Sequence, residues 1–218
     1  MARVTLDRPW LDFDLGAPQN VLSWAPHRPG FVTATRILWR EVHNSDLPPD
    51  LDVTDWFATD LAARGADDAV AFLPSRDVSR FTQCIATVDD ITAHAVATTG
   101  LSNAERVGAR VDYSGRDWGT INVAVQLSAG LSQTALIEAL SIAVQARTTA
   151  VIDAGWPLPN GPATGTGTDC LAVAAPDGAA CYAGLHTALG EAIGRAVHTA
   201  VLQGAQAWIR ADRDRRLG

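Results

Sequence analysis

The residues whose types and spacing lend themselves to chemistry fall in a few short stretches. The densest is Ala163-Thr164-Gly165-Thr166-Gly167-Thr168-Asp169, in which alternating Thr and Gly end on a carboxylate. Gly165 and Gly167 are read as positions free to take φ > 0, letting another group approach the backbone. Thr164, Thr166, Thr168 and Asp169 then project polar groups from a tight loop. Main-chain N–H groups exposed there suit an anion or a developing negative charge. The plain alternative is a polar connection into the apolar run Cys170–Ala174. Thr99-Gly100-Leu101-Ser102-Asn103-Ala104 closes a strand-like segment with a hydroxyl and an amide, and reads equally well as an ordinary capped turn. Asn122 interrupts a run of branched apolar residues. A buried amide is costly there unless its hydrogen bonds are met, and an outward-facing strand position would make it unremarkable. His186, in Tyr182-Ala183-Gly184-Leu185-His186-Thr187, stands near a helix start and can accept or shuttle a proton, although a lone histidine is more often structural. His27, His43, His94 and His198 show no metal-ligand spacing, and no cysteine cluster suggests zinc.

Bulk composition removes several function classes. All 17 basic residues are arginine, so a lysine Schiff base or lysine nucleophile is excluded. A net charge of -7 with dispersed basic residues argues against a nucleic-acid partner. Cys84, Cys170 and Cys181 form no CxxC pair and read as reduced, buried thiols in a cytoplasm. No signal peptide is evident and no apolar run approaches the roughly 20 residues of a membrane span, so the expectation is a cytoplasmic protein without a membrane partner. Seven tryptophans against two tyrosines would line a site for a large flat ligand or simply fill the core.

The elements that must position these groups are strand-rich in the first half. Val4–Asp7, Trp10–Leu15, Val21–Trp24 and Phe31–Trp39 read as strands. Thr54 is placed as the cap of a helix to about Arg64, followed by a buried strand at Ala69–Leu73. Cys84–Val88 and Ile91–Thr98 form an expected hairpin over Asp89-Asp90, and Gly100–Gly119 a long polar loop. Thr120–Leu127 is the clearest strand. Ser132 caps a helix to about Ala154, Cys170–Ala174 is a strand, and a last helix runs from about Gly184 to Arg210 with Glu191 and Arg195 one turn apart. The arginine-rich tail after Arg210 reads as frayed. With 218 residues, this pattern predicts one α+β domain over 1–218, a mixed β-sheet with long helices packed on one side. A split near Gly119 is the alternative.

Taken in order, these stretches resemble the adenosylcobinamide amidohydrolase family. The resemblance rests on Thr98–Gly108, Gly119-Thr120-Ile121-Asn122, Ala146-Arg147-Thr148, the Ala163–Asp169 loop and Tyr182–Glu191. It departs from the family where Leu22-Ser23 is followed by Trp24-Ala25-Pro26 in place of an Asn-Gly-Gly stretch, and where Arg147 stands for a usual lysine. The resemblance implies hydrolysis of the amide joining a corrin propionate side chain to aminopropanol, giving adenosylcobyric acid and 1-aminopropan-2-ol. Cobamides are accepted by some members. The corrinoid is then a substrate, no separate cofactor or metal is called for, and homo-oligomerisation is left open. On this reading loop amides at Thr164–Asp169 would hold the oxyanion, a donor worth roughly 10²–10³ in rate. His186 would be base and acid, oriented by Asp169 or Glu191. Ser23, Ser102, Asn103, Asn122, Gly165, Gly167 and Thr168 would hold the substrate. Ser102, Thr164, Thr166 and water stay open as nucleophile. The competing classes are a non-catalytic corrinoid-binding protein and a phosphate-binding module; Asp169 would repel the phosphate of the latter.

Overall fold

Two apolar faces on almost every central strand dictate a layered molecule. The computed structural model describes residues 3–48, 50–110 and 119–217. The chain starts with β1 (Arg3–Asp7), a long β2 (Trp10–Ser23) and β3 (Gly30–Arg40), followed by α1 (Val53–Ala63) and β4 (Val70–Phe72). The hairpin β5 (Thr82–Val88) and β6 (Ile91–Thr99) comes next, with a two-residue β7 (Ala104–Glu105) and the central β8 (Ile121–Leu127). Then come α2 (Gln133–Ala154), the short pairs β9 (Pro157–Leu158) and β10 (Gly161–Pro162), β11 (Gly165–Thr166), β12 (Cys170–Ala175) and α3 (Ala188–Leu217). The main sheet runs β4-β3-β2-β12-β8-β6-β5, with β1 on β2. It is mixed: β12 is parallel to β8 and β4 to β3, and the other neighbours are antiparallel.

β2 does more than the two separate strands expected for its sequence. Its register against β3 slips between Asp14 and Gln19, at a bend where Gly16 takes φ 78°. An irregularity of this kind bends a strand and increases its twist. The sheet therefore curls, and the leaf made of early β2, late β3 and β4 lies back over the face of β12, β8 and β6. Leu11, Phe13, Ile37, Trp39 and Phe72 share one core with Val96, Ala124, Ala172 and Ala174. Gln126 Nε2 donates to Leu15 O at 2.8 Å across the two leaves. On the opposite face Ile121, Val123, Val125, Leu171 and Val173 meet α2 and α3. β8 is covered on both faces, so apolar residues stand on both, with Asn122 and Gln126 as its polar positions. The long helices pack on one side, as the sequence predicts. α1 lies outside the other leaf, with Phe57 and Leu61 against Trp10, Leu38 and Ala71.

Element ends differ from expectation for identifiable reasons. Asp52, not Thr54, caps α1, its carboxylate accepting from Thr54 N and Asp55 N at 3.0 and 3.1 Å. Ser132 caps α2 as expected, accepting from Ala135 N. α3 starts later than expected because Thr187 is its cap, accepting from Gly190 N at 2.9 Å. It also ends later. Trp208, Ile209 and Asp212 are buried and Arg215 reaches Asp212 at 3.3 Å, so the expected frayed tail is helix to Leu217. Of the expected polar loop, 111–118 lies outside the described residues. Contrary to the sequence reading, α2 is long and apolar enough by length and composition to cross a membrane. Here its Ala135, Leu136, Ala139, Ala143 and Ala150 lie in the core shared with α3 and the sheet.

Candidate active site

The curl leaves the two leaves open at one end, where β2 and β6 finish and β8 and β12 begin. Four of the singled-out stretches meet there. Gly119 N donates to Asn103 Oδ1 at 3.0 Å, Thr168 Oγ1 to Gly119 O at 3.0 Å, and Thr120 Oγ1 to Thr168 O at 2.8 Å. Ser23 Oγ donates to Leu171 O at 2.8 Å and accepts from Ala25 N at 2.9 Å, which ends β2 beside them. β11 pairs with β7, tying the Thr/Gly loop to the Asn103–Glu105 segment.

The Thr/Gly loop is built around Asp169. Its carboxylate accepts from Ile121 N and Thr166 N at 3.0 Å each, from Thr166 Oγ1 at 2.5 Å and from Arg147 Nη1 at 2.7 Å. Burial pushes the Asp169 carboxyl up, and the Arg147 guanidinium and the Thr166 and Ile121 donors pull against it. Arg147 Nη1 also donates to Thr164 O at 2.9 Å. Neither Gly165 nor Gly167 takes a positive φ. What Gly165 supplies is room: a Cβ there would overlap Arg147 Nη1 and stand 2.6 Å from Asp169 Oδ2.

Several expected site residues are therefore committed to the scaffold. Asn103 and Ser23 are 2% and 4% exposed and bonded as above. The Thr164 hydroxyl accepts from Val107 N at 2.7 Å and donates to Glu105 O at 3.3 Å, and the Thr166 hydroxyl is held by Asp169. Thr164 N is bonded to Glu105 O and Thr166 N to Asp169. That leaves Gly167–Thr168 as the exposed turn of the loop.

The expected Asp169–His186 contact is not formed. His186 is exposed in a hollow with Glu138, Ser141 and Gln145 beside α2. Glu138 and Arg147 are separated along α2 by roughly 13 Å of helix rise. All the bonding directions of the Asp169 carboxylate are already filled. Glu191 pairs with Arg195 at 2.5 Å on the solvent side of α3.

Two adjoining hollows open between the leaves. The smaller, about 250 Å³, has Thr120, Asn122, Thr168 and Cys170 on one side and Val42, His43, Leu73 and Ser75 on the other. The larger, about 660 Å³, shares Val42, His43 and Ser75 and adds Gly100, Ser102, Gly119, Trp156 and Trp208. Trp156 and Trp208 meet edge to face at 5.1 Å. Of the candidate hydroxyls, Ser102 is the exposed one in this wall. Asn122 is 2% exposed, and its Nδ2 has no partner among the described residues. It faces the other leaf, not solvent. Burial and the Asp169 charge push the Cys170 thiol up to about 11, so it is not a thiolate nucleophile near neutral pH. Among the described residues no three His, Cys, Asp or Glu side chains converge as a metal site.

A family model described as adenosylcobinamide amidohydrolase (CbiZ) matches residues 2–213. The chain belongs to that family. As an adenosylcobinamide amidohydrolase it is an enzyme, and a corrinoid binder without activity is set aside. No curated protein matches this amidohydrolase in sequence. Among solved structures it is similar to the PH0078 protein from Pyrococcus horikoshii OT3, at 10% identity and TM-score 0.45, over 89% of this chain and 76% of that one. A beta-aminopeptidase of Burkholderia sp. is similar at 12% identity and TM-score 0.44, over 89% and 78%. Neither overlay bears on the placing of the site.

Proposed function

We propose that this amidohydrolase converts adenosylcobinamide to adenosylcobyric acid and 1-aminopropan-2-ol in the cleft between the two leaves, and that it also cleaves cobamides. The whole chain acts as one catalytic domain, a reading supported by a sheet that interleaves strands from before and after Gly119. The corrinoid is substrate, not a resident cofactor.

The observation that carries this reading is Asn122. A buried donor without a partner costs about 1–3 kcal/mol, and folding alone gives no reason to keep it. A substrate carbonyl entering the smaller hollow would supply the partner. Thr168 lines the same side of the hollow, and the exposed Gly167–Thr168 turn is the part of the loop this reading assigns to the oxyanion, which narrows the expected Thr164–Asp169 donor set. Trp156, packed edge to face on the buried Trp208, offers apolar surface to a corrin edge in the larger hollow. His186 and Glu191 stand outside this cleft and the reading assigns them no step in it.

Incubating the protein with adenosylcobinamide should release free 1-aminopropan-2-ol and a corrinoid with the mass of adenosylcobyric acid. Asn122→Leu should fold as well as the parent or better, because it removes an unsatisfied buried amide. Yet corrinoid binding should weaken by about 10-fold, one charge-free hydrogen bond's worth. Unchanged corrinoid binding by Asn122→Leu would remove the cleft from the reaction.

A further inference from the structure

The same cleft holds a histidine that none of the motif-bearing stretches contains. His43 follows β3 and lines both hollows. It arrives there because the curl carries the end of β3 back over β8: Trp39 Nε1 donates to Asn122 O at 3.5 Å. The His43 ring is 66% exposed, and its Nε2 lies 3.4 Å from Oε1 of Glu41, whose side chain is 2% exposed. Glu41 is itself fixed, taking Arg8 Nη2 at 2.6 Å and Val78 N at 3.1 Å. The backbone at His43 is pinned by its N–H donating to Asp46 Oδ2 at 2.9 Å. The other histidine rings are engaged elsewhere or lie away from the cleft. His27 is bonded to Asp67 O, His94 to Gln83, His198 to Asp153, and His186 stands in the hollow beside α2.

We propose that His43, oriented by the buried Glu41, is the proton carrier of the hydrolysis. This rests on the reading that the cleft holds the scissile amide. A carboxylate on one imidazole nitrogen sets the tautomer and leaves the other nitrogen basic. With Nε2 protonated on the side of the Glu41 carboxylate, Nδ1 takes a proton from water as the water oxygen bonds to the amide carbonyl carbon. The carbonyl electron pair moves onto oxygen, giving the tetrahedral oxyanion. That pair then returns, the C–N bond breaks, and His43 passes its proton to the departing nitrogen. One water is consumed, and one carboxylic acid and one primary amine are released. His43 touches the reacting atoms; Glu41 is a positioning residue.

The groups that set the charge around His43 come from every neighbouring segment. They are Glu41 and Asp46 on its own stretch, Arg8 across Glu41, and Arg76 and Asp77 beside it. Asp212 and Arg215 of α3 face it across the larger hollow.

The test uses the full chain with adenosylcobinamide, following released 1-aminopropan-2-ol against pH and corrinoid binding by absorbance. His43→Gln should lower kcat by about 10²–10⁴ with binding unchanged and should lose the acid limb of kcat/KM. Added imidazole should restore part of the turnover of His43→Gly. Glu41→Gln should lower kcat with KM unchanged, and Glu41→Asp, which keeps the carboxylate, should restore part of it. Wild-type kcat and an intact acid limb in His43→Gln would overturn the assignment. If that happens while Asn122→Leu loses binding, the cleft stands and His43 alone is wrong. If Asn122→Leu binds normally, the cleft reading fails and takes His43 with it.

Discussion

Arg147 shows how little of a guanidinium a buried ion pair can use. The guanidinium fork gives arginine its advantage when two parallel bonds meet a carboxylate. Here both described bonds, to Asp169 Oδ2 and Thr164 O, leave from the same nitrogen, and Nε has no partner. A single ammonium would serve the same two acceptors, so the lysine that the family resemblance leads one to expect would fit here as well. Arg147→Lys should therefore cost less than about 1.5 kcal/mol in urea unfolding, the range of a single hydrogen bond. Arg147→Ala leaves the Asp169 charge buried and unpaired, and should cost about 3–5 kcal/mol. Equal losses for the two variants would mean that the fork, not the charge, is what the loop needs.

At the scale of elements, the cleft wall depends on close backbone approach. Gly119 precedes β8 and packs on the Ser102–Asn103 turn. A Cβ at Gly119 would lie 2.5 Å from Ser102 Oγ, 2.7 Å from Ser102 N and 3.1 Å from Asn103 Oδ1. The Ser102 hydroxyl can turn aside, but its backbone nitrogen cannot move without shifting the turn. Gly119→Ala should cost about 1–3 kcal/mol, as overpacking does, and should lower corrinoid turnover more than it lowers Tm. Normal turnover with a lowered Tm would make the contact structural only. This contact also marks what the sequence could and could not convey. Strands and both long helices were readable from their periods, and Ser132 from its capping role. That Asn103 and Thr164 hold the scaffold was not, because their partners, Gly119 N and Val107 N, are backbone groups brought near by tertiary folding. Gly165 matters at the position its sequence context marks but for a different property: it provides space for an ion pair, not a left-handed turn.

For the whole molecule the decisive event is the curl of the sheet, and its signal in the sequence was weak. Gly16-Ala17-Pro18 sits inside what is one long β2, where the sequence pattern gives two separate strands, Trp10–Leu15 and Val21–Trp24. A bend instead of a break puts His43 opposite Asn122, so a histidine with no motif around it reached the site unseen. The curl also sets a pH dependence. His94 on β6 faces the overlying leaf, its ring edge-on to Phe13 of β2 at 4.9 Å and its Nε2 3.0 Å from Gln83 Oε1. Burial lowers the His94 pKa below its ordinary 6.5. Below pH 6.5 the unfolded chain then binds a proton that the folded one still refuses. Stability from this residue is present above that pH and is lost as the pH falls from 6.5 toward the folded value. Urea unfolding of the parent and of His94→Leu, at neutral pH and again below pH 6, should show the parent losing more stability on acidification. Leucine keeps an apolar group against Phe13 and has nothing to protonate, so the difference between the two slopes belongs to His94. Parallel slopes would mean that the two leaves part enough to hydrate the ring, and that the curl closes less tightly at β6 than the Phe13 contact indicates.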